Sequence, residues 1–148
     1  MLAIFTRITG ILSGPATESN PDPPIIPAAV GRLNIILEAA DGSGPGVVLM
    51  DQERPVEEMQ SYLNDAGFDG IVKACLPPLQ RETRAEQIQR WLDWQPTQTF
   101  RNLLVLDQGA PPMGHFRTFF VSVDGNEGLL DRHVARAFNQ LVARPRYR

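Results

Sequence analysis

Two aspartates sit where apolar runs stop. Asp51 follows Val47-Val-Leu-Met50, and Asp107 follows Asn102-Leu-Leu-Val-Leu106. A short continuous apolar run is the pattern of a strand buried on both faces. Each carboxylate is therefore expected at the tip of a core strand, the edge of an open α/β sheet at which ligands gather.

Other reactive types are scattered. His115 and His133 fall in no His/Cys metal spacing, and Cys75, the only cysteine, lies between Ala74 and Leu76 as a buried small hydrophobe. His133 is expected on the solvent side of the last helix. Asp41-Gly-Ser-Gly-Pro-Gly46 lacks the Lys-Ser/Thr of a phosphate loop and reads as a turn. Asp124-Gly-Asn-Glu-Gly128 opens like a calcium loop, but its twelfth position is Ala135, not an acid. Trp91 belongs to an apolar helix face, whereas Trp94 is the interface candidate of the pair. Arg144-Pro-Arg146-Tyr147-Arg148 is a basic tail suited to a protein partner.

The elements that must position these residues follow from the patterning. The chain has 148 residues, 43% hydrophobic and 21% charged, enough for one domain with its own core. Residues 1–12 read as an amphipathic helical arm, with Leu2, Phe5, Ile8 and Leu12 on one face. Such an arm would dock on this or a neighbouring subunit, so Phe5 and Ile8 join the partner-binding candidates. Residues 13–27 read as a Pro-rich linker, residues 28–143 as the α/β domain and residues 144–148 as the tail. Within the domain, Leu33, Ile35 and Leu37 alternate as in a strand. Strands are expected at 47–50, 70–76, 102–106 and 116–123, and helices from Pro55, over Thr83–Trp94 and over Leu129–Ala143. This order predicts an α/β single domain with a mostly parallel, twisted sheet of about five strands flanked by helices.

Net charge is −3, and it is uneven: residues 1–75 hold ten acids and four bases, residues 76–148 seven acids and ten bases. The acidic balance argues against a dedicated nucleic-acid binder. No apolar run is long enough to span a bilayer. One cysteine and no leader pattern place the expectation in the cytoplasm, or in an assembly formed there, rather than in a secreted protein.

The stretch from Val47 to Phe68, with Asp51 and the pair Gly67-Phe68, resembles the first strand and helix of a response-regulator receiver domain. Asn102 to Gly114, with Asp107, resembles that family's third strand and phosphoacceptor loop. The resemblance covers residues 47–114 and is degenerate. Gln52 stands where the family has a second acid, and Lys73, the only lysine, lies on the second strand of the match. It implies a flavodoxin-like fold in which Asp51 and Asp107 converge to hold Mg²⁺ and Asp107 accepts a phosphoryl group.

Three functions follow as expectations. The first is a non-enzymatic protein–protein interaction module, a structural or assembly subunit such as a virion neck or tail component, with protein partners or self-association. The second is a degenerate receiver-like domain signalling by protein contacts. The third is an Mg²⁺-dependent aspartyl phosphoacceptor.

Overall fold

The computed structural model describes residues 2–39, 46–96, 102–109 and 120–143. Strand β1 is Leu2–Thr6, and a single irregular turn over Ile8–Leu12 follows it. Helix α1 is Pro27–Ala39, β2 Gly46–Leu49, α2 Val56–Asp65, β3 Ile71–Cys75, α3 Arg84–Asp93, β4 Asn102–Asp107, β5 Phe120–Ser122 and α4 Asp131–Ala143. The five strands form one all-parallel sheet in the order β3-β2-β1-β4-β5. The fold is a single α/β domain.

The helical arm is overturned. Residues 2–6 are the middle strand of the sheet, with Ala3 beside Gly46 on one side and Leu103 on the other. Ile4 and Phe5 are fully buried and point to opposite faces, and Ile8 is buried in the same core as Ile4. Phe5 and Ile8 are core residues, not partner contacts. A five-residue apolar run carries no period that separates strand from helix. The spacing Leu2–Phe5–Ile8 was incidental.

The linker is also corrected. Ser13 pairs with Ile25, and the Ile26 N–H donates to the Leu12 carbonyl at 2.8 Å. Residues 14–24 thus form a loop closed at its base, and the domain includes β1 and the segment before residue 28. Pro27 opens α1, where its missing N–H is harmless. The strand expected at 33–37 is inside this helix. Ala29, Val30, Leu33, Ile36 and Leu37 are buried at helical spacing, while Ile35 faces out at 48% exposure.

Helices α1, α2 and α4 cover one sheet face, packing on Ile4, Val47, Leu49, Val72, Leu104, Leu106 and Val121. Helix α3 packs on the other, over Ala3, Phe5, Val48, Met50, Leu103 and Val105. Trp91 sets its ring edge-to-face on Phe5, centroids 5.5 Å apart and planes at 87°, as expected of a core aromatic. Among the described residues, no helix is long and apolar enough to cross a membrane.

After β3 the chain crosses back past β2 and β1 to place β4 on the far side of β1. This reversal is the topological switch point of an open parallel sheet, and a crevice opens there at the strand C-termini. It also breaks the receiver arrangement, which needs residues 47–50 directly beside 102–106. Strand β1 lies between them.

Candidate functional site

Three of the four residues at the switch point are strand-tip residues. Arg7 follows β1, Asp51 follows β2 after Met50, and Asp107 ends β4. Adjacent parallel strands in register put their last residues side by side: Thr6 is level with Leu49 and with Leu106. The Met50 N–H donates to the Thr6 carbonyl at 2.8 Å, which extends the β1–β2 pairing to the residue before Asp51. Asp51 then takes a positive φ of 55°, an uncommon conformation in which Asp is one of the more tolerated residues.

The fourth residue, Arg84, comes from the first turn of α3. Thr83 caps that helix: its hydroxyl accepts the Glu86 N–H and the Glu86 carboxylate accepts the Thr83 N–H, both at 3.1 Å. The Thr83 backbone N–H, and next the Thr83 hydroxyl, hold the Glu86 carboxyl below its usual range. Gln87 is buried, donates to the Pro77 carbonyl at 2.8 Å and accepts from Arg84 at 2.8 Å. The Arg84 guanidinium is thereby aimed at the strand tips.

The four side chains close a ring of alternating charge. Arg7 Nε donates to Asp107 Oδ1 at 2.7 Å, and its Nη1 lies 3.5 Å from Asp51 Oδ2. Arg84 Nη2 reaches both Asp51 oxygens, at 3.0 and 2.9 Å, and its Nε lies 3.7 Å from Asp107 Oδ2. The Gln108 N–H adds a bond to Asp107 Oδ1 at 2.7 Å. The side chains are 14–29% exposed. Asp51 and Asp107 share one site through the two arginines. The guanidinium groups stand between them, and two arginines against two aspartates sum to zero charge. Among the described residues, no three His, Cys, Asp or Glu side chains gather in a metal-holding group.

Comparison with known proteins finds no matching family, curated sequence or solved structure.

The ring is braced from the turns that follow β1 and β5. The Gln108 side chain lies between Gly10 and Gly125, donating weakly to the Thr9 carbonyl at 3.4 Å. A Cβ on Gly125 would stand 2.6 Å from the Gln108 carboxamide, and one on Gly10, at φ 81°, would collide with it as well. Beyond Gln108 an open cleft of about 570 Å³ is lined by Ser122, Asp124, Asn126, Arg132, His133 and Arg136, among others. His133 is a correction: it is buried, and its Nδ1 accepts the Leu130 N–H at 2.8 Å. Burial pushes its pKa down, and Arg132 and then Arg136 push in the same direction.

Trp94 is 82% exposed beside the C-terminus of α3. Cys75 is half-buried at the side of the core, and burial, then Glu57, pushes its thiol pKa up. Arg144, Arg146, Tyr147, Arg148, His115 and the turn at 41–45 lie outside the described residues.

Arg7 and Arg84 are the members that sequence reading missed. Arg7 carried nearly the same signal as the aspartates, a charged residue one position (Thr6) beyond an apolar run, and the arm reading hid it. Arg84 follows Thr83 inside the capping pattern Thr-x-x-Glu, which marks a helix start whose first-turn side chains face the strand tips.

Proposed function

We propose that this chain is a non-enzymatic interaction domain, an assembly or structural subunit that works by binding a protein partner. One observation carries the reading: the Arg7 guanidinium sits between Asp51 and Asp107, where a phosphoacceptor site would need a cation and an approaching phosphoryl group. Asp107 already accepts Arg7 and the Gln108 N–H on one oxygen and faces Arg84 with the other. An acceptor engaged this way is a poor nucleophile. Trp94 supports the binding half of the proposal, since a large aromatic left in water beside a helix end matches the residue type that dominates interface energetics.

The test has two arms. Incubation with a small phosphodonor and Mg²⁺, followed by intact mass measurement, is expected to leave the protein unmodified. A phosphoryl adduct that disappears in Asp107→Asn would sink the proposal. In the second arm, wild type and Trp94→Ala are used as baits in extract from the source cells. A partner held by wild type and lost by the variant supports the reading, and equal profiles count against Trp94 as the contact.

A further inference from the structure

Helix α4 carries a buried histidine with one hydrogen bond unmade. His133 is only 1% exposed, yet it lines the open cleft beyond Gln108. Its Nδ1 accepts the Leu130 N–H at 2.8 Å, so the proton of the neutral ring sits on Nε2. Burial, then Arg132 and Arg136, lower its pKa, which keeps the ring neutral near pH 7. Among the described residues, nothing accepts a hydrogen bond from Nε2. No described buried side-chain nitrogen is sealed away without a partner. The Nε2–H therefore meets the cleft as an unused donor. Such a donor, held in an almost closed position, is stabilised by any acceptor that reaches it.

Two further kinds of group line the cleft. Arg132 and Arg136 come from the first two turns of α4 and, four residues apart, share one helix face with His133 beside them. Arg132 is engaged by Glu127. Arg136 is exposed and has no ion pair or hydrogen bond among the described residues. The helix N-terminus adds positive potential of its own. The turn after β5 brings Asp124. Its Oδ1 accepts the Asn126 N–H at 2.8 Å, and its backbone carbonyl accepts the Glu127 and Gly128 N–H groups at 3.0 and 2.9 Å, so this turn is fixed. Asp124 Oδ2 is uncommitted among the described residues. With Arg132 and Glu127 cancelling, one cation, one neutral donor and one carboxylate remain to choose a ligand. Gln108 and Ser122, at the ends of β4 and β5, put this set at the sheet edge where parallel α/β folds hold ligands.

We propose that this cleft binds a small, hydroxylated phosphate monoester. The phosphate lies against the Arg136 guanidinium and accepts the His133 Nε2–H. Its three terminal oxygens can take both branches of a guanidinium fork and the imidazole proton together. A hydroxyl of the ester donates to Asp124 Oδ2. The same carboxylate repels a second charged group, which favours a monoester over a polyphosphate. At about 570 Å³ the cleft has room for more than a bare phosphate and falls in the size range of small-molecule sites. A subunit that binds a protein partner can carry such a ligand, and neither role depends on the other.

Isothermal titration calorimetry of the full chain, at low salt in phosphate-free buffer, is the test. The probes are ribose 5-phosphate, glucose 6-phosphate and adenosine monophosphate, with inorganic phosphate and gluconate for comparison. At least one monoester is expected to bind at a single site with Kd about 1 mM or tighter. Inorganic phosphate and gluconate should bind about tenfold more weakly or worse. Arg136→Ala, which removes no contact among the described residues, should weaken the ester by about tenfold or more. Asp124→Asn keeps the acceptor for the Asn126 N–H and should narrow the preference over inorganic phosphate. The ¹⁵N resonance of His133 Nε2 should move as the ester saturates the site. Failure of all three monoesters to bind by about 10 mM overturns the proposal. So does ester binding that Arg136→Ala leaves unchanged, or that does not move the His133 resonance. Gluconate or inorganic phosphate binding as tightly as the esters overturns the assignment of the ligand class.

Discussion

Replacing Arg7 with alanine tests the charge ring at the member that stands between the two aspartates. The substitution removes the 2.7 Å contact with Asp107 and the 3.5 Å contact with Asp51, leaving two carboxylates to share Arg84. Ion pairs at about 4 Å in an effective dielectric near 20 gain about 4 kcal/mol each, most of it offset by desolvation. Fully exposed pairs contribute about 0–1 kcal/mol, and breaking fully buried ones costs about 3–5 kcal/mol. With side chains 14–29% exposed, the ring falls between these limits. A loss of about 2 kcal/mol is expected, or a fall in Tm of about 4–8 °C for a chain this size. The assay is urea unfolding, since guanidinium would compete with the arginines. Mg²⁺ adds a second readout. The vacated space between Asp51 and Asp107 should accept a divalent cation, so 10 mM Mg²⁺ should stabilise Arg7→Ala by about 1.4 kcal/mol if its Kd is about 1 mM. Wild type should gain nothing. Two results would refute the reasoning: a variant within about 0.5 kcal/mol of wild type, or equal Mg²⁺ stabilisation of both proteins.

Three further outcomes are expected. Gly10→Ala should cost about 1–3 kcal/mol, from the strained φ and the collision with Gln108. Gly125→Ala should cost less, and Gln108→Ala should relieve it in a double-mutant cycle followed by thermal melts. Thr83→Ala should cost about 1 kcal/mol in urea unfolding through loss of the helix cap. His133 should make stability pH-dependent. Its folded pKa is lowered from 6.5, so between the two pKa values the unfolded chain binds the extra proton. The histidine's contribution is then complete above about pH 6.5 and is lost as pH falls through the lower folded value. Comparing wild type with His133→Asn, which keeps an acceptor for the Leu130 N–H, at stepped pH isolates this contribution. A constant difference across that window counts against it.

Much of the sheet was readable because the apolar runs at 47–50 and 102–106 and the strand-forming stretch at 70–76 are bounded by Gly, Pro and Asp. The parallel arrangement followed from helices placed between them. The centre of the fold was not readable. Strand β1 is too short to show a period, and the Pro-rich stretch behind it suggested a tether. Only long-range pairing with Gly46 and Leu103 reveals its place. Helix α1 was hidden for a similar reason, because three alternating residues mimic a strand until the window is widened to Pro27. The strand-tip positions of Asp51 and Asp107 were legible from the apolar runs before them. Their neutralisation by Arg7 and Arg84 was not, since it depends on which strand lies between them.

The central position of β1 also bears on how the chain reaches its fold. Leu2 pairs with Asn102, so the middle of the sheet is completed only by segments about 100 residues apart. Closing a loop of that length costs about 4 kcal/mol in chain entropy before any contact offsets it. Strand β1 can pair with β2 as the chain is made but must wait for β4, and until then one edge of this largely apolar strand is open. Folding is therefore expected to be slow for the chain's size and to finish only after residue 102 has emerged. The open edge of β1 is the point at which a nascent chain would meet a chaperone or aggregate.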